Sequence, residues 1–492
     1  MKILITCLAV LFYYAFANQK CFRAAVYEGA LVIDDFKCAK QEICSNLEVY
    51  EYVVKKASQN KAQIIVFPEH GLFPAYDRNK THRYSEVISN KMGRVNPCDK
   101  PNQFANRPIQ LKLSCAAKKN RIYIVANLAE VEYCHSKERG CPKDGRFQYN
   151  TAIAFDANGV IVAKYRKYHL FGETAHFDYP KNQEFSTFIT PFGRFGLLIC
   201  FDSLFEEPAL GLIKQHQVTT LAMPTWWYNE HPFLVAHEYQ QSIAIAHNVN
   251  FLAANANKKE IATTGSGIYS GKKGAVVYKY MSKPNTGTLL ISTLSIDASD
   301  ESAKCNPNSL KIPIDVQKYS SATSESSPFG DEYNLFYYNE SSLIKIKLND
   351  SNSEVRVCKD RVCCQFAYSA NESTFKSGHS YYVGVGSDIR NIPQGQWCEE
   401  MCALYAFDET INTYALLDST EFNYFKLIGT FTTKSIYPSV LTDYLALGST
   451  SQWHYTTSGY RGVIESTANI KLIAAGLYGR CFDRDPALVT SS

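Results

Sequence analysis

Residues 191–208 read PFGRFGLLICFDSLFEEP, an apolar run that meets a cysteine and then turns polar. Leu197, Leu198 and Ile199 read as the end of a buried strand, and residues 203–209 are compatible with a helix directly after it. Cys200 then falls at the strand's carboxyl end, where α/β sheets collect reacting groups. The positive end of a following helix favours a thiolate there, and the Phe201 backbone N–H faces any oxyanion formed on it. Buried cysteines are also ordinary packing residues or disulfide halves, so position alone leaves both readings open. Two other stretches repeat the placement. Residues 64–71, IIVFPEHG, form an apolar strand ending before Pro68 and Glu69, and residues 161–173, IVAKYRKYHLFGE, form another that runs into Lys167. A thiol, a carboxylate and an ammonium thus end three strands and can meet at one sheet edge. Amide hydrolysis through cysteine needs a nucleophile, a group that moves protons, and positive charge for the oxyanion.

The elements that position these residues alternate up to about residue 300. Residues 46–63 have helical spacing, with Leu47, Tyr50, Val53 and Val54 on one face, and IIVF follows as a strand. Residues 107–120 repeat the scheme before RIYIVANL, and residues 151–164 form a hairpin whose turn carries Asn158 and Gly159. TTLAMP, a helix over 232–247 and NFLAANA complete an α/β pattern of sheets covered by helices. Residues 301–332 shift toward Ser, Asp, Asn and Pro and read as a linker. Beyond them, LIKIKL, YYVGVG, FKLIGTF and IKLIAAGLYG alternate between turn residues, which predicts a mostly antiparallel β domain over 333–492.

The first 17 residues have a lysine ahead of a short apolar core and end Ala-Phe-Ala, a secretory signal peptide cleaved after Ala17. A membrane anchor would need about 20 apolar residues. Export suits the 16 cysteines: with Cys7 lost and Cys200 kept as a thiol, an even number remains for pairing, and Cys134 with Cys141, or Cys358, Cys363 and Cys364, look like local staples. There are no paired CxxC knuckles and no histidines at ligand spacing, which argues against zinc, and no metal or cofactor is expected. Sequons at Asn79, Asn339, Asn349 and Asn371 mark glycan-bearing surface loops. The net charge of +4 is unclustered, which argues against nucleic acid or an anionic membrane as partner. The polar C-terminus lacks the apolar tail of a lipid-anchor signal, so a secreted, soluble protein with a small-molecule amide substrate is expected.

The chain resembles the nitrilase superfamily, whose catalytic set is a Glu, a Lys and a Cys, and within it the vanins and biotinidase. The similarity is carried by NPCDKPNQF at Asn96, LSCAAKKNRIYIVANL at Leu113, CPKDGRFQYNT at Cys141, LICFDSLFEEPA at Leu198, GSGIY at Gly265 and VCKDRVCC at Val357. The resemblance implies an αββα sandwich over 18–300 followed by the vanin-type β-rich base domain. It implies Glu69 as proton acceptor, Lys167 as the positive group beside the oxyanion and Cys200 as nucleophile, with Arg166 the neighbouring rival for the lysine's place. Glu173 is a possible second carboxylate near the pocket; His169 and His176 read as structural. Trp226 and Trp227 of PTWWYNEH follow another strand end and suit either a pocket wall or the core. Vanins carry one Trp there, so the second leaves the acyl group open. The implied reaction splits pantetheine into pantothenate and cysteamine, with hydrolysis of biotinyl amides such as biocytin as the alternative. A non-enzymatic glycoprotein keeping the fold is disfavoured, because a binding module has no need of all three residues.

Overall fold

The computed structural model describes residues 20–487 except 31, 33–38, 74–76, 136, 259–260, 272, 282–285, 301, 320–335 and 372–378. The stretch read as a signal peptide, with Cys7, and Cys38 lie outside the described residues.

Two sheets face each other in the N-terminal half. The first runs, in spatial order, Leu310–Asp315, Thr286–Ser295, Cys21–Glu28, Ile64–Val66, Tyr123–Tyr133, Arg146–Phe155 and Ile161–Arg166. The second runs Gly274–Lys279, Ser266–Ser270, Asn250–Ala254, Thr220–Pro224, Gly193–Leu197 and Ser186–Thr190. Side chains sort by the strand period of two. Ala24, Val26, Ile64 and Val66 share one buried cluster with Phe195, Leu197, Leu221 and Met223 of the facing sheet. The alternate residues Ala25, Tyr27 and Ile65 pack with Leu47, Val53, Val54 and Leu113 of helices Ala39–Gln59 and Pro108–Asn120. Helix Ala236–His247 covers the second sheet through Tyr239, Ile243 and Ala244. The layers are therefore helix, sheet, sheet, helix, the αββα sandwich expected. Each sheet has a parallel core: Cys21–Glu28 beside Ile64–Val66 beside Tyr123–Tyr133 in one, and Gly193–Leu197 beside Thr220–Pro224 beside Asn250–Ala254 in the other.

Two local expectations differ from the structure. The helix read over 203–209 is a 3₁₀ turn, Cys200–Leu204, and the α-helix begins only at Ala209 and ends at Lys214. Pro208 explains this, since the residue before a proline is driven out of the helical region. The stretch read as linker carries the strand Leu310–Asp315, which pairs with Thr286–Ser295 at the edge of the first sheet. Pro313 is tolerated there because an edge strand has a free side. SSATSESSPFGDE, the most linker-like part, lies outside the described residues.

The C-terminal part is a second sandwich of antiparallel strands. One sheet orders Ile344–Lys347, Ser380–Ile392, Gly395–Asp408, Ala474–Arg480 and Ile436–Leu441, the other Asn352–Lys359, Val362–Ala370, Thr420–Thr430, Arg461–Ser466 and Trp453–Ser458. It docks on the N-terminal half through polar groups as well as apolar ones. Ser242 Oγ donates to Pro438 O at 2.6 Å, His237 Nε2 meets Leu445 O at 2.7 Å, and the buried Arg480 donates from Nε to Leu204 O at 2.7 Å.

Disulfides join Cys21–Cys305, Cys98–Cys115, Cys134–Cys141, Cys358–Cys363, Cys364–Cys402 and Cys398–Cys481. Among the described residues Cys200 is free and buried, and Cys44 stands outside these six bridges, with Cys38, the one remaining mature cysteine, outside the described residues. Asn79, Asn339, Asn349 and Asn371 are all exposed.

Candidate active site

Three strand ends bring the expected residues together, each by a local device. After Ile64–Val66, the Phe67 N–H donates to Val125 O at 2.9 Å and its ring stacks on Tyr50 with centroids 3.8 Å apart. The chain then turns at His70, with φ 51°, whose N–H donates to Asn127 Oδ1 at 2.9 Å. Gly71 is required beside it, because a Cβ there would lie 2.1 Å from Tyr50 Oη. The turn aims Glu69 into the protein, where it is 1% exposed.

Lys167 follows the strand Ile161–Arg166, its N–H donating to Asn150 O at 2.8 Å. Alternation separates the two basic neighbours. Arg166 turns to the other face, donates to Glu130 Oε1 at 2.6 Å and Glu132 Oε2 at 2.5 Å, and lies 3.9 Å over the Tyr149 ring. Lys167 turns inward and is 2% exposed.

There Lys167 Nζ donates to Glu69 Oε1 at 2.8 Å and to Glu173 Oε2 at 2.5 Å. Asn150 Nδ2 bridges the same carboxylates, at 2.7 Å from Glu69 Oε1 and 2.8 Å from Glu173 Oε1. His70 Nε2 lies 3.0 Å from Glu173 Oε1, and the Trp226 N–H donates to Glu69 Oε2 at 2.8 Å. Burial alone would discharge Lys167, but Glu173 and Glu69 raise its proton affinity well above the usual lysine range. Burial opposes ionisation of Glu173 too, yet Lys167 and His70 hold its carboxyl far below the usual range. The ligand atoms of Glu69, His70 and Glu173 lie within 4.8 Å of one another, close enough for a metal ion. The Lys167 ammonium, within hydrogen-bond reach of both carboxylates, already supplies the cation there.

Cys200 opens the 3₁₀ turn with φ 46°, in the left-handed region that side chains rarely adopt and that clusters at functional sites. The turn is pinned by Asp202, which accepts from Ile199 N at 3.1 Å and His169 N at 2.9 Å, and by Ser203 Oγ, which donates to Cys200 O at 2.8 Å. Burial, then the Glu69 carboxylate, push the thiol well up, with Lys167 opposing, so the resting group is a neutral thiol. This corrects the expectation of a helix-stabilised thiolate: a five-residue 3₁₀ turn is no substitute for a helix dipole, and burial dominates.

Phe201 follows in the same turn, its ring 5.0 Å from Phe171 and 5.6 Å from Trp397. Beside Cys200 opens a cleft lined by Phe171, Phe201, Trp226, Trp227, Ile392 and Trp397 among others. Both tryptophans expected at the pocket reach it. Trp227 also serves the core, stacked on Tyr239 at 5.2 Å with its Nε1 donating to Leu234 O at 2.8 Å. Glu173 does not line the cleft; it stands within the charge cluster against Lys167. His169 stacks on Phe205 at 3.7 Å and is pushed down to about 3 by burial, a neutral packing residue. Sequence reasoning missed His70, Asn127 and Asn150 as partners, although His70 adjoins Glu69 and Asn150 stands in the motif CPKDGRFQYNT. It also missed Ile392 and Trp397, for which no local signal exists.

Comparison with known proteins agrees with this geometry. A profile described as carbon-nitrogen hydrolase matches residues 39–271, and one described as vanin C-terminal domain matches residues 328–485. The chain is 32% identical over 485 residues to a Mus musculus pantetheinase, covering 96% of this chain and 91% of that one. It is 33% identical over 496 residues to a Homo sapiens pantetheinase, covering 98% and 93%. A Bos taurus biotinidase is 32% identical over 503 residues, covering 94% and 92%.

Proposed function

The chain belongs to the carbon-nitrogen hydrolase family, in the branch of pantetheinases and biotinidases that carries a vanin C-terminal domain, and from that premise we propose that it splits pantetheine through a thioester on Cys200. That it is an amide-bond hydrolase follows from the family. The observation that supports the finer reading is the fully buried Lys167 held between Glu69 and Glu173, with the free Cys200 at the adjoining cleft.

In this reading the amide carbonyl of pantetheine enters beside Cys200. Because the thiol rests neutral, attack and deprotonation go together: Sγ bonds to the carbonyl carbon as Glu69 takes the thiol proton. The oxyanion draws on the Lys167 ammonium and the Phe201 N–H. Collapse expels cysteamine, whose nitrogen receives the proton from Glu69, and leaves a pantothenoyl thioester. Glu69 then takes a proton from water, the hydroxide adds to the thioester, and pantothenate leaves as the thiol is restored. Trp226, through its N–H, and Asn150 keep the Glu69 carboxylate aimed throughout.

Export is part of the proposal. Six disulfides among the described residues suit an oxidising compartment, as do the exposed sequons and the signal-like first 17 residues. The deciding assay offers the purified protein pantetheine and biocytin side by side. Release of cysteamine at a much higher kcat/KM than release of lysine is expected; the reverse order assigns the chain to biotinyl amides.

A further inference from the structure

The cleft at Cys200 is closed by the other domain. The strands Ser380–Ile392 and Gly395–Asp408 form one hairpin, paired from Ser380 with Phe407 to Ile392 with Gly395, and its tip reaches across to the catalytic half. Gln394 packs on Gly172, whose φ is 66° and where a Cβ would come within 3.1 Å of Gln394 Cγ. Gly395 lies against the Phe201 ring so closely that a Cβ there would approach it to 2.9 Å. Ile392 and Trp397, on either side of the tip, line the cleft together with Cys200.

The hairpin is held in place by buried polar groups. Arg390 forms an ion pair with Glu230 of the catalytic half, and lies 5.3 Å from the Trp397 ring centroid and 5.0 Å from that of Tyr338. Trp397 Nε1 donates to Glu399 Oε2 at 2.9 Å, an oxygen that also accepts from Tyr478 Oη at 2.9 Å. The Trp397 indole is therefore fixed in both position and tilt.

Resting on the amidase reading of Cys200, we infer that this hairpin selects the acyl group, with Ile392 and Trp397 as specificity-determining residues for an extended, uncharged acyl chain. Among the residues that line the cleft, Glu230 carries the one carboxylate, and Arg390 pairs with it. An ionic acyl group would lose its hydration against aromatic and aliphatic walls with no free counter-charge in return. An acyl group long enough to reach Ile392 and Trp397 buries against them and a shorter one does not, and each methylene buried there is worth roughly 10-fold or more in discrimination.

The test uses the full-length protein and anilides carrying an acetyl, a hexanoyl or a pantothenoyl group, with kcat/KM measured for each. Ile392→Ala opens the cleft wall and Ile392→Trp fills it; both keep the Trp397 network intact. The expected result is that the ratio of hexanoyl or pantothenoyl to acetyl turnover falls about 10-fold or more in each variant. Equal loss for all three anilides, or no change in the ratio, would overturn the inference. Failure of the wild type to cleave any of them would instead strike the amidase reading itself, so the two failures are distinguishable.

Discussion

The substitution Glu69→Gln changes two things at once, and the structure allows them to be separated. Every neighbour of the Glu69 carboxylate is a donor: Lys167 Nζ and Asn150 Nδ2 on one oxygen, the Trp226 N–H on the other. A glutamine must turn its NH₂ toward one of these sides, and the better choice sets it against the Trp226 N–H, leaving one buried donor unpaired. That costs about 1–3 kcal/mol, roughly 10- to 100-fold if it falls wholly on the transition state. Loss of the proton acceptor adds a factor of about 10² to 10⁴. Glu173→Gln supplies the control, for its oxygens also face donors, Asn150 and His70 on one side, Lys167 and the Phe171 N–H on the other. Since the His70 ring nitrogen can accept in the other tautomer, one mispaired donor is again the minimum, Asn150. Glu173→Gln should therefore lose about 10- to 100-fold in kcat/KM, and Glu69→Gln about 10³-fold or more, with melting temperatures lowered alike. Rapid-quench mass spectrometry completes the assay: the acyl adduct on Cys200 should form at a reduced rate in Glu173→Gln and be nearly absent in Glu69→Gln. Equal losses in the two variants would refute the reasoning, because Glu69 would then act only as a hydrogen-bond acceptor for Lys167.

Lys167→Met should lower kcat/KM by about 10²-fold or more, while Arg166→Met, on the opposite face, leaves it within severalfold; the reverse result in steady-state assays would overturn the register of this strand. Alkylation without reduction should label Cys200 in the native protein in competition with substrate, and Cys200→Ala should show no acyl adduct by intact mass. Glu238, buried where helix Ala236–His247 meets the C-terminal domain, is pushed up to about 8 by burial, and its Oε2 has no partner among the described residues. The folded state thus binds its proton more tightly than the unfolded chain, so its ionisation removes stability as pH rises from the ordinary carboxyl range through about 8. Relative to wild type, Glu238→Gln should gain melting temperature from pH 5 to about pH 8 and then level off, by an amount corresponding to about 4 kcal/mol at most, and a pH-independent difference would contradict this.

What could be read from the chain was whatever local pattern controls. Apolar runs ending in Glu69, Lys167 and Cys200 locate the strand ends, but not their meeting at one sheet edge: the Lys167 strand is joined to the Glu69 sheet through antiparallel pairs, and the Cys200 strand belongs to the facing sheet. The period of two also puts Lys167 and Arg166 on opposite faces once the strand is known. The partners Asn150 and His70 were less legible because each meets the carboxylates only after the strand Arg146–Phe155 pairs beside Tyr123–Tyr133. Leu310–Asp315 had an alternating signature, LKIPID, that its proline concealed. No periodicity could announce that the tip between Ile392 and Gly395 reaches the Phe201 ring nearly two hundred residues earlier; that contact is made by domain docking alone.

Arg480 bears on how the protein is made. Its Nε holds the carbonyl of Leu204, the residue that closes the turn begun at Cys200, across 276 positions of sequence. At about 5–20 residues per second, a ribosome delivers that guanidinium roughly 14 to 55 s after the turn itself has been synthesised. Through that interval the Cys200 turn lacks this anchor and the cleft lacks Ile392 and Trp397. The adjoining Cys398–Cys481 bridge then ties the two strands that carry Trp397 and Arg480. The turn that carries Cys200 and the cleft beside it are thus complete only once the last strand has docked.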